Sequence, residues 1–291
     1  MDAARWKVAI LGAGVVGTSL GRVLRERGHE IVGVVTRSEA TARRAAEAVG
    51  GAAAGVDPAE AAARADLVLV TTPDRAIASV CAEVGRRGGF RRGSVVAHTS
   101  GALDSEVLEA ARGAGCETGS LHPLGTFASA ESASFAGIYF FFEGTPGAVR
   151  VLADLAREIG GLPVPLARGG KALYHAAAVV ACNYLVTLAS EGVELMAAAG
   201  VPREAALPAL LPLLRGTVRN LEALGLPRAL TGPIARGDTP TVGRHLEAIR
   251  RDWPAAEEMY RVLGRRTVPI GRNKGTLGSE DAAELERLLG S

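Results

Sequence analysis

The sequence predicts an α/β fold: a Rossmann-like, doubly wound parallel sheet with helices on both faces, followed by an all-helical C-terminal region. Three observations carry this. Residues 8–11 form a short apolar run that meets Gly12-Ala13-Gly14-Val15-Val16-Gly17, a G-x-G-x-x-G turn, and helical spacing follows at once. Strand-length apolar runs then alternate with helical stretches as far as residue 166. After Arg168-Gly169-Gly170 only helical periodicity remains.

Each glycine of the first turn has a task in a strand–turn–helix setting. Gly12 permits the tight turn, Gly14 leaves room for a pyrophosphate at the backbone, and Gly17 lets the helix pack closely. The free amides and the positive end of the helix over 15–27 then attract phosphate. That helix stops at Gly28, and residues 31–35 form a second, wholly apolar strand, as a sheet buried on both faces requires. A carboxylate at its end would bind a ribose 2′-hydroxyl. Here stand Thr36, Arg37 and Ser38, with Arg43 and Arg44 beyond. A guanidinium binds a 2′-phosphate where a carboxylate repels it, so NADP(H) is the expected cofactor, with Arg37 foremost and Ser38 beside it. Ser38 also serves as the cap of a helix starting at Glu39.

The next strand, residues 66–70, ends in Thr71-Thr72-Pro73-Asp74; this turn is expected along the cofactor and also as the start of a helix that includes 77–84. Residues 94–97 form a strand ending in His98-Thr99-Ser100-Gly101, and 116–121 a strand ending in His122-Pro123-Leu124. Carboxyl ends of parallel strands face the ligand crevice, so His98, Thr99 and Ser100 join the expected cofactor contacts and His122 the catalytic candidates. Residues 138–142 and 162–166 complete the strands, with a helix over 146–159 between them. One long helix is expected over 171–199. Further helices cover 202–224, kinked or divided by Pro208 and Pro212, then 240–263 and 279–289. The domain boundary falls at 167/168: residues 1–167 bind the nucleotide and 168–291 form the helical domain.

Composition narrows the classes. Of 291 residues, 48% are hydrophobic and 22% charged, ordinary for a soluble globular protein, and the net charge of +2 with no basic block gives no reason to expect nucleic acid. Cys81, Cys116 and Cys182 lack metal-ligand spacing and cannot all pair; no metal is expected, and they fit a reducing compartment as small buried residues. The start of the sequence has no basic-then-apolar leader pattern. The apolar stretch 176–189 is short for a bilayer and contains Asn183, so it is expected as a buried helix of a cytoplasmic protein rather than a membrane span.

Only three basic residues are lysines: Lys7, Lys171 and Lys274. Lys171 sits in the first turn of a helix, where a cation is disfavoured, and so attracts a functional reading. His175 shares its face one turn on. Asn183 lies roughly 80° further round for uniform α-helical winding. The loop Leu230 to Asp238 is polar and glycine-rich. Asp238 reads as a helix cap, whereas Thr231 and Arg236 have no local structural role, and Arg236 could hold a substrate carboxylate.

Taken with residues 8–17, His98-Thr-Ser-Gly-Ala-Leu103, Ser120-Leu-His-Pro-Leu124, Lys171-Ala-Leu-Tyr-His-Ala-Ala-Ala178 and the 230–238 loop, the chain resembles a bacterial family. Its members pair a Rossmann-like NADP-binding domain with a C-terminal helical domain of unassigned function. More remotely the layout is similar to 6-phosphogluconate and β-hydroxyacid dehydrogenases, ketopantoate reductase and pyrroline-5-carboxylate reductase. The resemblance implies a homodimer through the C-terminal helices and a cleft built against the nucleotide domain. β-Hydroxyacid dehydrogenases place asparagine four residues after their lysine; here that position is His175. The expected activity is NADP(H)-dependent reduction of a carbonyl or imine of a small oxo acid, with Lys171 as proton donor, His175 or His122 as the second candidate, and Asn183 or Arg236 orienting substrate. The alternative is a protein that binds NADP(H) as a sensor and catalyses nothing.

Overall fold

The computed structural model describes residues 5–127, 129–130 and 134–290. The chain divides into two compact units, Met1–Val179 and Val180–Ser291. The expected boundary at 167/168 and this division lie on either side of one short helix, Lys171–Ala178.

The first unit holds β1 (Lys7–Leu11), α1 (Val15–Glu26), β2 (Glu30–Val35), α2 (Glu39–Ala48), β3 (Ala54–Gly55), α3 (Pro58–Ala63), β4 (Leu67–Val70), α4 (Asp74–Arg86), β5 (Val95–His98), α5 (Glu109–Gly113), β6 (Glu117–Leu124), β7 (Tyr139–Gly144), α6 (Pro146–Glu158), β8 (Leu162–Pro165) and α7 (Lys171–Ala178). The eight strands form one sheet in the order β3-β2-β1-β4-β5-β6-β7-β8. β1 pairs in parallel with β2 and with β4, so the chain leaves the sheet centre in both directions, the mark of a doubly wound sheet. Alternate residues serve opposite layers. Val8 and Ile10 enter one core cluster, and Ala9 and Leu11 the other. Burial on both faces explains why β1, β2 and β4 read as unbroken apolar runs.

One pairing departs from the expected parallel sheet. β7 lies antiparallel to β6, with His122 opposite Phe141 and Leu124 opposite Tyr139. No helix crosses over between the two strands among the described residues, so the chain returns in the reverse direction. β8 is again parallel to β7, across α6. Three small elements, β3, α3 and α5, have two, six and five residues, too few to show a period. A local signal does mark α3: Asp57 accepts from the amides of Ala59 and Glu60, with Pro58 in the first turn.

The second unit is helical, with α8 (Tyr184–Ala198), α9 (Arg203–Leu224), α10 (Thr239–Asp252), α11 (Glu257–Lys274) and α12 (Ser279–Gly290). The helix expected over 171–199 is interrupted by a π-turn, Val179–Asn183. Its extra residue breaks the uniform winding from which 80° followed for Asn183. Pro208 and Pro212 both lie inside α9, which remains one helix rather than two. The helix expected over 240–263 is instead split at Trp253, whose backbone is pushed out of the helical region by Pro254. α11 then runs on to Lys274 and ends at Gly275, whose φ of +81° suits a glycine terminator.

Two expectations about burial are corrected. The 176–189 stretch is not a buried helix within one chain: Val180 is 60%, Tyr184 54% and Val186 71% exposed. α8 packs against α9 and leaves its other apolar faces open. Cys81 and Cys116 are buried, but Cys182, in the same open stretch, is exposed. The helical run Lys171–Ala198, which contains an 18-residue window of mean hydropathy 1.5, is long and apolar enough to cross a membrane by length and composition alone.

Candidate active site

The glycine turn is built as its spacing requires. Gly12 has φ +99°, and a Cβ there would lie 2.6 Å from the Thr72 amide nitrogen. Thr71 donates its hydroxyl to the Gly12 carbonyl and its amide to Leu11 at 2.8 Å, locking the turn after β4 onto the turn after β1. A Cβ on Gly17 would strike the Thr71 hydroxyl and the Gly12 carbonyl, so its close approach is to this neighbouring turn. Gly14 differs: nothing lies within 4 Å of where its Cβ would be. It caps α1 without a side-chain hydrogen bond, and the first turn carries no acidic residue. The amides of Val15, Val16 and Gly17 thus open, with Ala13 and Gly14, onto a space suited to an anion. The Thr72 hydroxyl beside the turn is a buried polar group lacking a partner among the described residues. These features fit a dinucleotide's diphosphate.

At the end of β2, Thr36 donates its hydroxyl to the Ser38 carbonyl at 2.7 Å, and Ser38 caps α2 by accepting from Thr41. The capping role of Ser38 is therefore filled. Arg43 pairs with Glu39 at 2.8 Å. Arg37 is exposed and makes no ion pair among the described residues, which leaves its guanidinium available. Pro73 stands at the N-cap of α4, so the Thr71-Thr72-Pro73 turn serves both as helix entry and as a wall beside the glycines.

A second cluster gathers at the ends of β5 and β6. His98 is fully buried, and Nδ1 accepts from the Ser100 amide at 3.2 Å, so its proton sits on Nε2, facing the Asp104 carbonyl at 3.3 Å. Burial, followed by the Lys171 charge, holds its pKa down at about 4. Both nitrogens are spent on the 98–104 loop, leaving none for a cofactor. The Ser100 hydroxyl donates to Asp74 at 2.8 Å and accepts from the amides of Ala102 and Leu103. Thr99 is half-buried and its amide bonds Val70 at 3.3 Å.

Lys171 opens α7 with no exposed surface, and its ammonium donates to the Ser100 carbonyl at 2.6 Å. Burial lowers its pKa to about 8, opposed by the negative charges of Glu143, Asp104 and Asp74. Glu143 itself is buried and accepts from the Ser105 amide and hydroxyl, both at 2.8 Å. The lysine is thus sunk beneath the loop it holds. Above it, His122 Nδ1 lies 2.7 Å from the Tyr174 hydroxyl oxygen, and the His175 ring lies 6.3 Å from that of His122. Burial, then the charges of Lys171 and His175, lowers the His122 pKa to about 4. Gly101 makes room for both rings: a Cβ there would fall 2.7 Å from His175 Cδ2 and 2.9 Å from His122 Nε2.

The structure thus brings together Lys171, His122 and His175, with His98 and Ser100 as their scaffold. Sequence reasoning missed Tyr174, Gly101 and Glu143. Tyr174 stands three residues after Lys171, so i,i+3 spacing from that lysine was the available signal. In the second unit, Asn183 closes the π-turn. Thr231 and Arg236 are exposed on a loop pinned by Lys274 to the Leu230 carbonyl at 2.7 Å and by Thr276 to the Ala235 carbonyl at 2.6 Å. Asp238 caps α10 through the Thr241 amide. Among the described residues no group of histidine, cysteine, aspartate and glutamate has the geometry to hold a metal.

Residues 1–123 match the model of a Rossmann-like domain, and residues 138–267 that of a domain of unknown function, DUF2520. Among solved structures, the chain is similar to a Bacteroides fragilis protein provisionally named an NADP oxidoreductase, at 28% identity and TM-score 0.72, over 91% of this chain and 98% of that one. A Thermotoga maritima protein gives 26% identity and TM-score 0.69 over 91% and 99% of the two chains. An imine reductase from Pseudomonas shares the fold at 15% identity and TM-score 0.62, over 98% and 100%. No curated protein matches the sequence.

Proposed function

We propose that this chain, which pairs a Rossmann-like domain with a DUF2520 domain, is an NADP(H)-dependent oxidoreductase reducing a carbonyl or imine carbon of a small oxo acid or related imine. The open backbone at Gly14, continuing into the uncapped start of α1, is the observation that carries this reading. The name and 28% identity of the Bacteroides fragilis protein support a nicotinamide cofactor. Arg37, exposed at the end of β2, supports NADP over NAD.

In this reading residues 1–167 hold the cofactor. The Gly12–Gly17 turn binds its diphosphate, and Arg37 with Thr36 and Ser38 takes the 2′-phosphate. Thr72 and Thr99 lie along it. The bound nicotinamide supplies hydride. Residues 168–291 supply substrate contacts, with Arg236 and Thr231 for a carboxylate and Asn183 for a hydroxyl or amide, together with a homodimer face on α8 and α9. The open apolar side chains of those helices, Val186 and Leu213 (71% and 67% exposed) among them, support the dimer. A cytoplasmic location accords with the free cysteines.

Lys171 acts by charge on the loop above it, since its ammonium has no surface to offer a substrate. That same commitment favours a second reading, a sensor that binds NADP(H) without turnover. Incubation with NADPH and a panel of 2-oxo acids, ketopantoate included, and cyclic imines separates the two. Loss of reduced-nicotinamide absorbance with at least one compound is expected; tight binding with no turnover across the panel supports the sensor.

A further inference from the structure

We propose that the Tyr174 hydroxyl, paired with His122, delivers the proton to the substrate's oxygen or nitrogen, and that Lys171 is a positioning residue beneath this pair. The proposal rests on the reductase reading. A proton donor must come within hydrogen-bond reach of the atom it protonates. Lys171 does not: it is fully buried and its ammonium is held by the Ser100 carbonyl at 2.6 Å. Tyr174 and His122 are only part-buried, and their polar atoms meet at 2.7 Å.

The pair is fixed from three sides. Phe141, directly opposite His122 in the β6–β7 ladder, packs against the Tyr174 ring at a centroid distance of 4.4 Å. The loop at Gly101 closes on His122 and His175, with no room for a methyl group. The Lys171 ammonium lies 6.0 Å from the centre of the Tyr174 ring, at the limit of cation–ring attraction.

The protonation states suit the task. Burial raises the Tyr174 pKa to about 12, so the phenol keeps its proton until the substrate takes it. His122, held near pKa 4, is neutral at pH 7. With its single proton on Nδ1 it donates to the phenol oxygen, leaving the phenolic hydrogen free to point at a ligand. As the hydride pair bonds to the substrate carbon, the C=O or C=N π pair becomes a lone pair on the heteroatom and takes the phenolic proton. The phenolate oxygen, still accepting from His122 Nδ1–H, then regains its proton from solvent, and the imidazole stays neutral throughout. The charged and titratable groups around the pair are Lys171 and His175 on α7, Asp74 on α4 and His98 on β5, with Asp104 and Glu143 around the lysine.

The test uses the full chain labelled with ¹⁵N-histidine, with His122→Asn to assign the resonances. At pH 7 without ligand, His122 is expected as the neutral Nδ1–H tautomer. An Nε2–H tautomer, in which tyrosine donates to histidine, or an imidazolium overturns the proposal. In Lys171→Met the His122 titration midpoint should rise, because a neighbouring cation has gone; an unmoved midpoint removes Lys171 from the arrangement. Lys171→Arg, which keeps the charge, should leave the midpoint low and serves if the methionine variant does not fold. In single turnovers with NADPH and the most reactive panel compound, Tyr174→Phe should slow oxidation at least about 100-fold while NADPH affinity stays within about twofold. Unchanged oxidation in Tyr174→Phe overturns this proposal alone. Absence of NADPH oxidation by the wild-type chain overturns the reductase reading and this proposal with it.

Discussion

Gly14→Ala should separate binding from folding. Gly14 has φ −76° and ψ −168°, a backbone conformation open to any residue, and its missing Cβ faces empty space within 4 Å. Alanine is a poorer N-cap than glycine, but it also narrows the unfolded ensemble. The two effects oppose each other, so stability should move by less than about 1 kcal/mol. A diphosphate, however, would meet the new methyl where it approaches the helix amides. Loss of one hydrogen bond to a charged group costs about 1.5–3 kcal/mol, or about 10- to 150-fold in Kd. Thermal melts with and without NADPH read both quantities. At a ligand concentration about 100 times the wild-type Kd, the cofactor adds about 2.7 kcal/mol, and a Kd raised about 100-fold reduces this to about 0.4 kcal/mol. Gly12→Ala is the contrast. Its φ of +99° and the Thr72 nitrogen 2.6 Å from the new Cβ should cost about 2–5 kcal/mol of fold stability whether or not NADPH is present. A Gly14→Ala protein that melts and binds NADPH like the wild type would refute the placement of the diphosphate.

Other outcomes follow from the same structure. Arg37→Asp should weaken NADPH binding by at least about tenfold more than NADH binding, since it replaces a charge-assisted contact with repulsion; equal losses in parallel titrations would reduce Arg37 to a surface charge. His98 is neutral in the fold, with its pKa lowered from 6.5 to about 4, so the unfolded chain binds the extra proton first as pH falls. Stability should therefore drop by about 3 kcal/mol between pH 6.5 and 4, and His98→Asn should flatten that slope in denaturant melts. Lys171 is lowered from 10.5 to about 8, so the unfolded chain holds more protons between those values and stability should rise with pH across that window. Lys171→Met should lack the rise. Val186→Glu, at a side chain 71% exposed on α8, tests the proposed homodimer: sedimentation should show the dimer lost, and the melting temperature should fall by whatever stability dimerisation supplied, whereas unchanged sedimentation would move the proposed interface elsewhere.

The nucleotide half was legible because its signals are local. The G-x-G-x-x-G turn, apolar strands buried on both faces and polar residues at strand ends are each readable within a few residues. The antiparallel β7 was not, because strand direction depends on what the intervening chain does rather than on composition. His98 and Lys171 show a different limit. Their positions at a strand end and a domain junction marked them as functional, but burial turned one ring and one ammonium inward onto Ser100. Tyr174 escaped notice because its meaning comes from His122, 52 residues away in sequence. In the helical half, spacing alone did not show that the Lys171–Ala198 run holds a π-turn or that its apolar side chains stay open in one chain.

Equilibrium titration of the intact chain with NADPH, followed through the cofactor's fluorescence, meets the cofactor assignment head on. The expected result is one saturable site per chain that takes NADPH more tightly than NADH. A protein that gives no saturable signal with either dinucleotide would contradict it.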